Sequence, residues 1–142
     1  MISIIRAIVA ALTGPPEFYH GTSQWQNLDA DKAELSNGIV YLDEPLRSRD
    51  DVKQGGYMEE TYPLSLLFLK KSELKWTPAE HQVVIAEMRT LRREFINALQ
   101  SHASIRRIGD PITTDVTNVL DANLSGVFVE IDVTPFNTEA AC

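Results

Sequence analysis

Apolar side chains change their spacing several times along this chain, and each change marks an element. Ile2, Ile5, Val9 and Leu12 recur at helical intervals, and Gly14, Pro15 and Pro16 stop the run, so a short N-terminal helix is expected. Glu17 to Gly21 is a short aromatic stretch suited to an edge strand, and residues 23–36 leave room for a helical turn before Asn37-Gly38. Ile39 to Leu42 reads as a strand buried on both faces. Pro63 to Lys70 is a second such strand, with Leu64, Leu66 and Phe68 on one face and Leu67 and Leu69 on the other, which places it centrally in a sheet.

Thr77-Pro78-Ala79-Glu80 opens a long helix. Thr77 can cap the free N–H groups, Pro78 suits the first helical position because it has no N–H to satisfy, and Glu80 stands where a capping-box acid reaches back. From there to about Gln100, Val84, Met88, Leu91, Phe95 and Leu99 form one apolar stripe, while Glu80, Glu87, Arg89, Arg93 and Glu94 occupy other faces. Near the end, Ile112, Thr114, Val116, Asn118 and Leu120 share one face. After a turn at Asp121-Ala122-Asn123, Val127, Val129, Ile131 and Val133 share a face opposite Phe128, Glu130, Asp132 and Thr134, the pattern of paired antiparallel strands. The order predicts an α+β fold: an antiparallel or mixed sheet of about five strands with a long helix on one face and a short N-terminal helix.

Residues 43–62 break the pattern. They are charged throughout and interrupted by Pro45 and Gly55-Gly56, so they read as a long loop between central strands. A binding arm that orders on assembly and a simple hairpin tip fit it equally.

With 142 residues, 44% of them hydrophobic, the chain is expected to form one domain over 1–142. The apolar run at the N-terminus is too short to cross a bilayer, and Arg6 lies inside it rather than before it. It is therefore read as a helix and not a signal peptide, and a soluble intracellular protein without membrane contact is expected. A single Cys, Cys142, leaves no disulfide framework and no zinc cluster.

Reactive constellations are not visible. His20, His81 and His102 are scattered, and His81, in the first turn of the long helix, is expected to face solvent. Asp29-Ala30-Asp31 starts like a calcium loop, but Glu34 replaces the required Gly and Val40 replaces the bidentate Glu. The acid pairs Asp43-Glu44, Asp50-Asp51 and Glu59-Glu60 are expected to be solvated. Gly55-Gly56 lacks the strand, helix and Lys-Ser or Lys-Thr of a phosphate cradle, and no serine lies in a nucleophile elbow. Neither an enzyme nor a cofactor or metal is expected.

Charge is more informative. The total is −7, which disfavours broad nucleic-acid binding. Residues 89–107 hold Arg89, Arg92, Arg93, Arg106 and Arg107 against Glu94 alone, a net of +4, whereas residues 29–60 carry a net of −5 and no Lys or Arg follows Ile108. Complementary surfaces of this kind steer copies of one subunit together head to tail, closing a ring when the rotation allows. The candidate subunit interface is therefore the arginine set against Asp50, Asp51, Glu59 and Glu60.

Three segments taken together carry a resemblance: VYLDEPL at 40–46, GGYMEETYPLSLLFLKKSELKWTPAEHQVVIAEMRTL at 55–91, and DANLSGVFVEIDVTPF at 121–136. They resemble the small neck and tail-completion proteins of tailed bacteriophages and prophages. The resemblance implies a structural virion component, a tail terminator or tail completion protein that caps the tail tube as a ring, similar to terminators that assemble as hexamers. It implies contacts with its own copies and with neighbouring connector and tail tube proteins, and a location in the virion neck or tail after assembly in the host cytoplasm. In such a ring the 43–62 segment would contact a neighbour or line the lumen, where negative charge lets DNA pass without specific binding. A head-completion or connector adaptor of the neck is the alternative role, and a non-viral peptide- or ligand-binding α+β module is the alternative class.

Overall fold

The computed structural model of the chain describes residues 1–22, 37–44, 46–52, 55–56, 58–73, 75–119 and 124–136. Helix α1 (Ile2–Ala10) leads into β1 (Glu17–Thr22), β2 (Ile39–Glu44), β3 (Arg49–Val52) and the long β4 (Met58–Lys71). Helix α2 (Pro78–Ser101) follows, then β5 (Ile105–Ile108), β6 (Ile112–Val119) and β7 (Leu124–Pro135). The class is α+β, as the spacing predicts, with a long helix and a short N-terminal one.

The β4–β7 pair organises the sheet. The two strands are antiparallel over ten residue pairs, from Tyr62 opposite Val133 to Lys71 opposite Leu124. The outer edge of β4 is shared end to end by β2 and β3, and the outer edge of β7 by β6 and β5. Strand β1 joins β2 in parallel, which makes the sheet mixed. Seven strands are thus described, against the five expected.

Alternation along β4 and β7 decides what each face buries. Leu64, Leu66 and Phe68 turn to the same side as Val127, Val129, Ile131 and Val133, and the α2 stripe of Val84, Met88, Leu91, Phe95 and Leu99 closes over them. Phe68 and Phe95 meet edge to face at 5.4 Å between ring centroids. Ile5, Ile8, Val9 and Leu12 of the α1 segment complete this core. On the opposite face Ile39, Tyr41, Leu67, Leu69 and Leu124 form a smaller buried cluster. Gly126 allows the layers to close: a Cβ there would stand 1.8 Å from the Phe68 carbonyl oxygen and 3.0 Å from Met88 Cγ.

At the start of α2 the Thr77 hydroxyl accepts the Glu80 N–H at 3.4 Å, with Pro78 in the first turn. The Glu80 carboxylate meets the Thr77 hydroxyl at 3.3 Å instead of reaching the backbone.

One expectation is corrected and one strand is added. Residues 43–62 are not one long loop: β2 continues to Glu44, β3 pairs with the start of β4, and the turn between them contains Gly55 and Gly56, both at positive φ. Residues 105–108 form the short strand β5, not expected from four residues with two arginines. The helical turn expected within 23–36 and the turn at 121–123 lie outside the described residues.

Candidate functional site

The β3–β4 hairpin projects from the sheet. Pairing with β7 ends at Tyr62, so Met58 to Thr61 are laddered only to β3. Its cross-strand pairs are unusual: Asp50 stands opposite Glu60, and Asp51 opposite Glu59. Like charges directly opposite one another destabilise a strand pair, so this hairpin needs compensation.

On one face the compensation is internal. Glu59 is only 5% exposed, contrary to the expectation that this acid is solvated. Its carboxylate pairs with the guanidinium of Arg107 and, at 3.4 Å, with that of Arg106. Consecutive strand residues normally point to opposite faces, but a register shift between Ile105 and Arg107 lets both arginines reach one acid. The same face holds a buried hydrogen bond between the Thr61 and Thr134 hydroxyls at 2.8 Å. Together these contacts clamp the base of the hairpin to β5 and β7.

The other face is not neutralised by any described residue. Glu60 accepts hydrogen bonds from the hydroxyls of Ser48, at 3.3 Å, and Tyr62. No Lys or Arg among the described residues pairs with Glu60 or with the exposed Asp50. By the two-residue period of strands, Val52 and Met58, also opposite each other and 74% and 44% exposed, share this face at the tip.

The basic patch divides as well. Arg89 donates from Nε and from a terminal nitrogen to Asp115 of β6, at 2.9 and 2.6 Å, and is thereby committed within the subunit. Arg92 and Arg93 have no ion pair among the described residues. Burial, then the neighbouring charges of Arg89 and Arg93, push the Arg92 guanidinium below its ordinary value. Arg92 Nε and the Thr113 hydroxyl on β6 are buried without hydrogen-bond partners.

Of the nine interface candidates, the structure therefore joins Glu59 to Arg106 and Arg107 inside one subunit. It leaves Asp50 and Glu60 on one flank of the β4–β7 pair and Arg92 and Arg93 on the other. The missed residue is Thr113, whose buried hydroxyl without a partner gives no signal in sequence.

His81 corrects a further expectation. It is buried, its ring lies 5.6 Å from that of Trp76, and its Nδ1 is 3.4 Å from the Ser125 hydroxyl, which is 2.7 Å from that of Ser72. This polar chain ties the α2 N-terminus to the β4 and β7 ends. His20 meets Arg6 at 3.1 Å, and His102 Nδ1 accepts the Ser104 N–H at 3.1 Å. Among the described residues no three His, Cys, Asp or Glu are grouped to hold a metal, and no helix is long and apolar enough to cross a membrane. Cys142, Asp29 and Asp31 lie outside the described residues. A groove of about 330 Å³ between α1 and α2, at the small end for ligand pockets, is lined by Ala7, Ala11 and Ala98 with Glu94, which already accepts the Thr13 N–H at 2.8 Å. No known protein family and no curated protein matches this chain.

Proposed function

We propose that this protein is a structural subunit that assembles with its own copies into a ring at the head-to-tail junction of a tailed phage particle, as a tail terminator or tail completion protein. The observation that supports it most is the projecting hairpin with a carboxylate pair, Asp50 and Glu60, that no Lys or Arg among the described residues compensates. In a lone subunit, Asp50 opposite Glu60 costs stability. Next to the cations of a neighbour the same pair becomes an attractive contact. The negative surface left over would let DNA pass through the ring without adhering, and no catalytic step is assigned to the protein. The phage role itself comes from the sequence resemblance.

Light scattering and negative-stain imaging of the purified chain, with and without isolated tail tubes, test the proposal. Closed rings that bind tube ends are expected. A strict monomer at high concentration that ignores tubes and connectors would sink it.

A further inference from the structure

We infer that the outer edge of β6 in one subunit accepts β3 of a second copy of this chain as an added strand, so that the sheet continues from subunit to subunit with Asp50 beside Arg93. This rests on the self-assembly proposed above and names its contact.

Two strand edges are open. Strands β3 and β6 each pair on one side only, with β4 and β7, and among the described residues no strand or loop backbone bonds to the outer side of either. Such an edge presents a row of free N–H and C=O groups, and folded proteins guard it with Lys, Pro or a bulge. From Ile112 to Val116, β6 has none of these. Four of these five residues are β-branched, and the one charge among them, Asp115, is already paired with Arg89. The register with β7 shifts only beyond Val116, and Ile112 is 65% exposed.

Charge selects the strand that fits. Arg89, Arg92 and Arg93, spaced three and four residues apart, share the side of α2 that looks over β6, as the Arg89–Asp115 pair shows. Arg93 is exposed, and its position is turned further from the core stripe than that of Arg89, toward the space beyond β6. Two β6 edges would bring these arginine rows together, and two β3 edges would bring together Asp50 and Asp51 of both copies. A β3 edge against a β6 edge instead joins opposite charges. The faces agree as well. Glu60 continues the face of Leu64 and Leu66, and Asp50 opposite it turns to the same side, the side of α2. On β6 that side carries Thr113 and Asp115, opposite Val129 and Val127. A strand added about 4.8 Å beyond β6 with its faces in the same sense therefore puts Asp50 within reach of Arg93. Strands β3 and β6 lie on opposite outer flanks of the β4–β7 pair, so the contact joins unlike surfaces, the geometry that builds closed rings or open filaments.

Hydrogen exchange of the full chain, compared between dilute and concentrated samples whose mass is followed by sedimentation equilibrium, tests this. On assembly the outward-pointing amides within 49–52 and 112–116 should exchange at least about tenfold more slowly, which a contact through side chains alone would not produce. Arg93→Glu and Asp50→Lys, both at exposed positions, should each weaken association at least about tenfold, and their combination should recover most of the loss. If the wild type assembles while either edge keeps its monomer exchange rates, the added strand is wrong and self-assembly stands. Reversals that leave association unchanged overturn the contact in the same way. A wild type that never assembles overturns both.

Discussion

Replacing Glu59 by Gln tests how the hairpin is held. The Glu59 side chain is 6% exposed, but those of Arg106 and Arg107 are 40% and 50% exposed. Breaking a fully buried ion pair costs about 3–5 kcal/mol, and a fully exposed one contributes less than about 1 kcal/mol. With the acid buried and both arginines partly solvated, the cost falls near the lower buried figure, about 3 kcal/mol. Removing the charge opposite Asp51 returns up to about 1 kcal/mol. The net loss is then about 2 kcal/mol, or roughly a 30-fold change in an equilibrium. Because Met58 to Thr61 pair only with β3, the loss should appear as local opening of the hairpin. Native-state hydrogen exchange reads it directly. The amides of residues 49–52 and 58–61 should exchange about 30-fold faster, while those of Leu66 to Leu69 in the buried part of β4 stay unchanged. Hairpin exchange within about threefold of wild type would mean that Glu59 contributes no more than a surface pair, and the clamp would be refuted.

Three further outcomes follow from the packing and the electrostatics. Gly126→Ala forces a Cβ against the Phe68 carbonyl, so urea denaturation should show a loss above about 3 kcal/mol, and a wild-type midpoint would contradict the close approach. Phe95→Ala empties the site that receives Phe68 and should cost about 3–5 kcal/mol by the same assay, whereas a loss below about 1 kcal/mol would place Phe95 outside the core. Burial, then the Glu17 charge, push the Tyr19 phenol above its ordinary value of 10.0. With the folded value above the unfolded one, the Tyr19 contribution is complete below pH 10 and is lost as pH rises through the folded value, so Tyr19→Phe should flatten the alkaline fall in thermal midpoint.

The core of the fold could be read from the sequence because it depends on local periodicity. Leu64, Leu66 and Phe68, the Val127 to Val133 alternation and the α2 stripe all occupy the faces their spacing assigns. A hairpin tip was one of two equal readings, but its paired strands were hidden because Asp and Glu are poor strand formers, and acids at 50, 51, 59 and 60 look like solvated loop. The available signal was Gly55-Gly56 between two short segments, a hairpin turn pattern. The burial of Glu59 could not be read locally, since Arg106 and Arg107 are more than forty residues away and converge on it only through a bulge. His81 is similar: an exposed position in the first helical turn becomes buried once Trp76 and Ser125 close around it. Of the candidate interface, the charge asymmetry was legible, but which charges are already paired within the subunit was not.

The arrangement of β4 and β7 also has a mechanical consequence. A pull on the hairpin tip along β4 loads the ten β4–β7 pairs in shear, because ladder hydrogen bonds lie perpendicular to the strands. All of them resist at once, whereas a pull across the edge would open them one by one. Force arriving at the hairpin is thus carried through the middle of the sheet toward the start of α2, and the β4–β7 pair passes tension along the strand direction as a stiff strut.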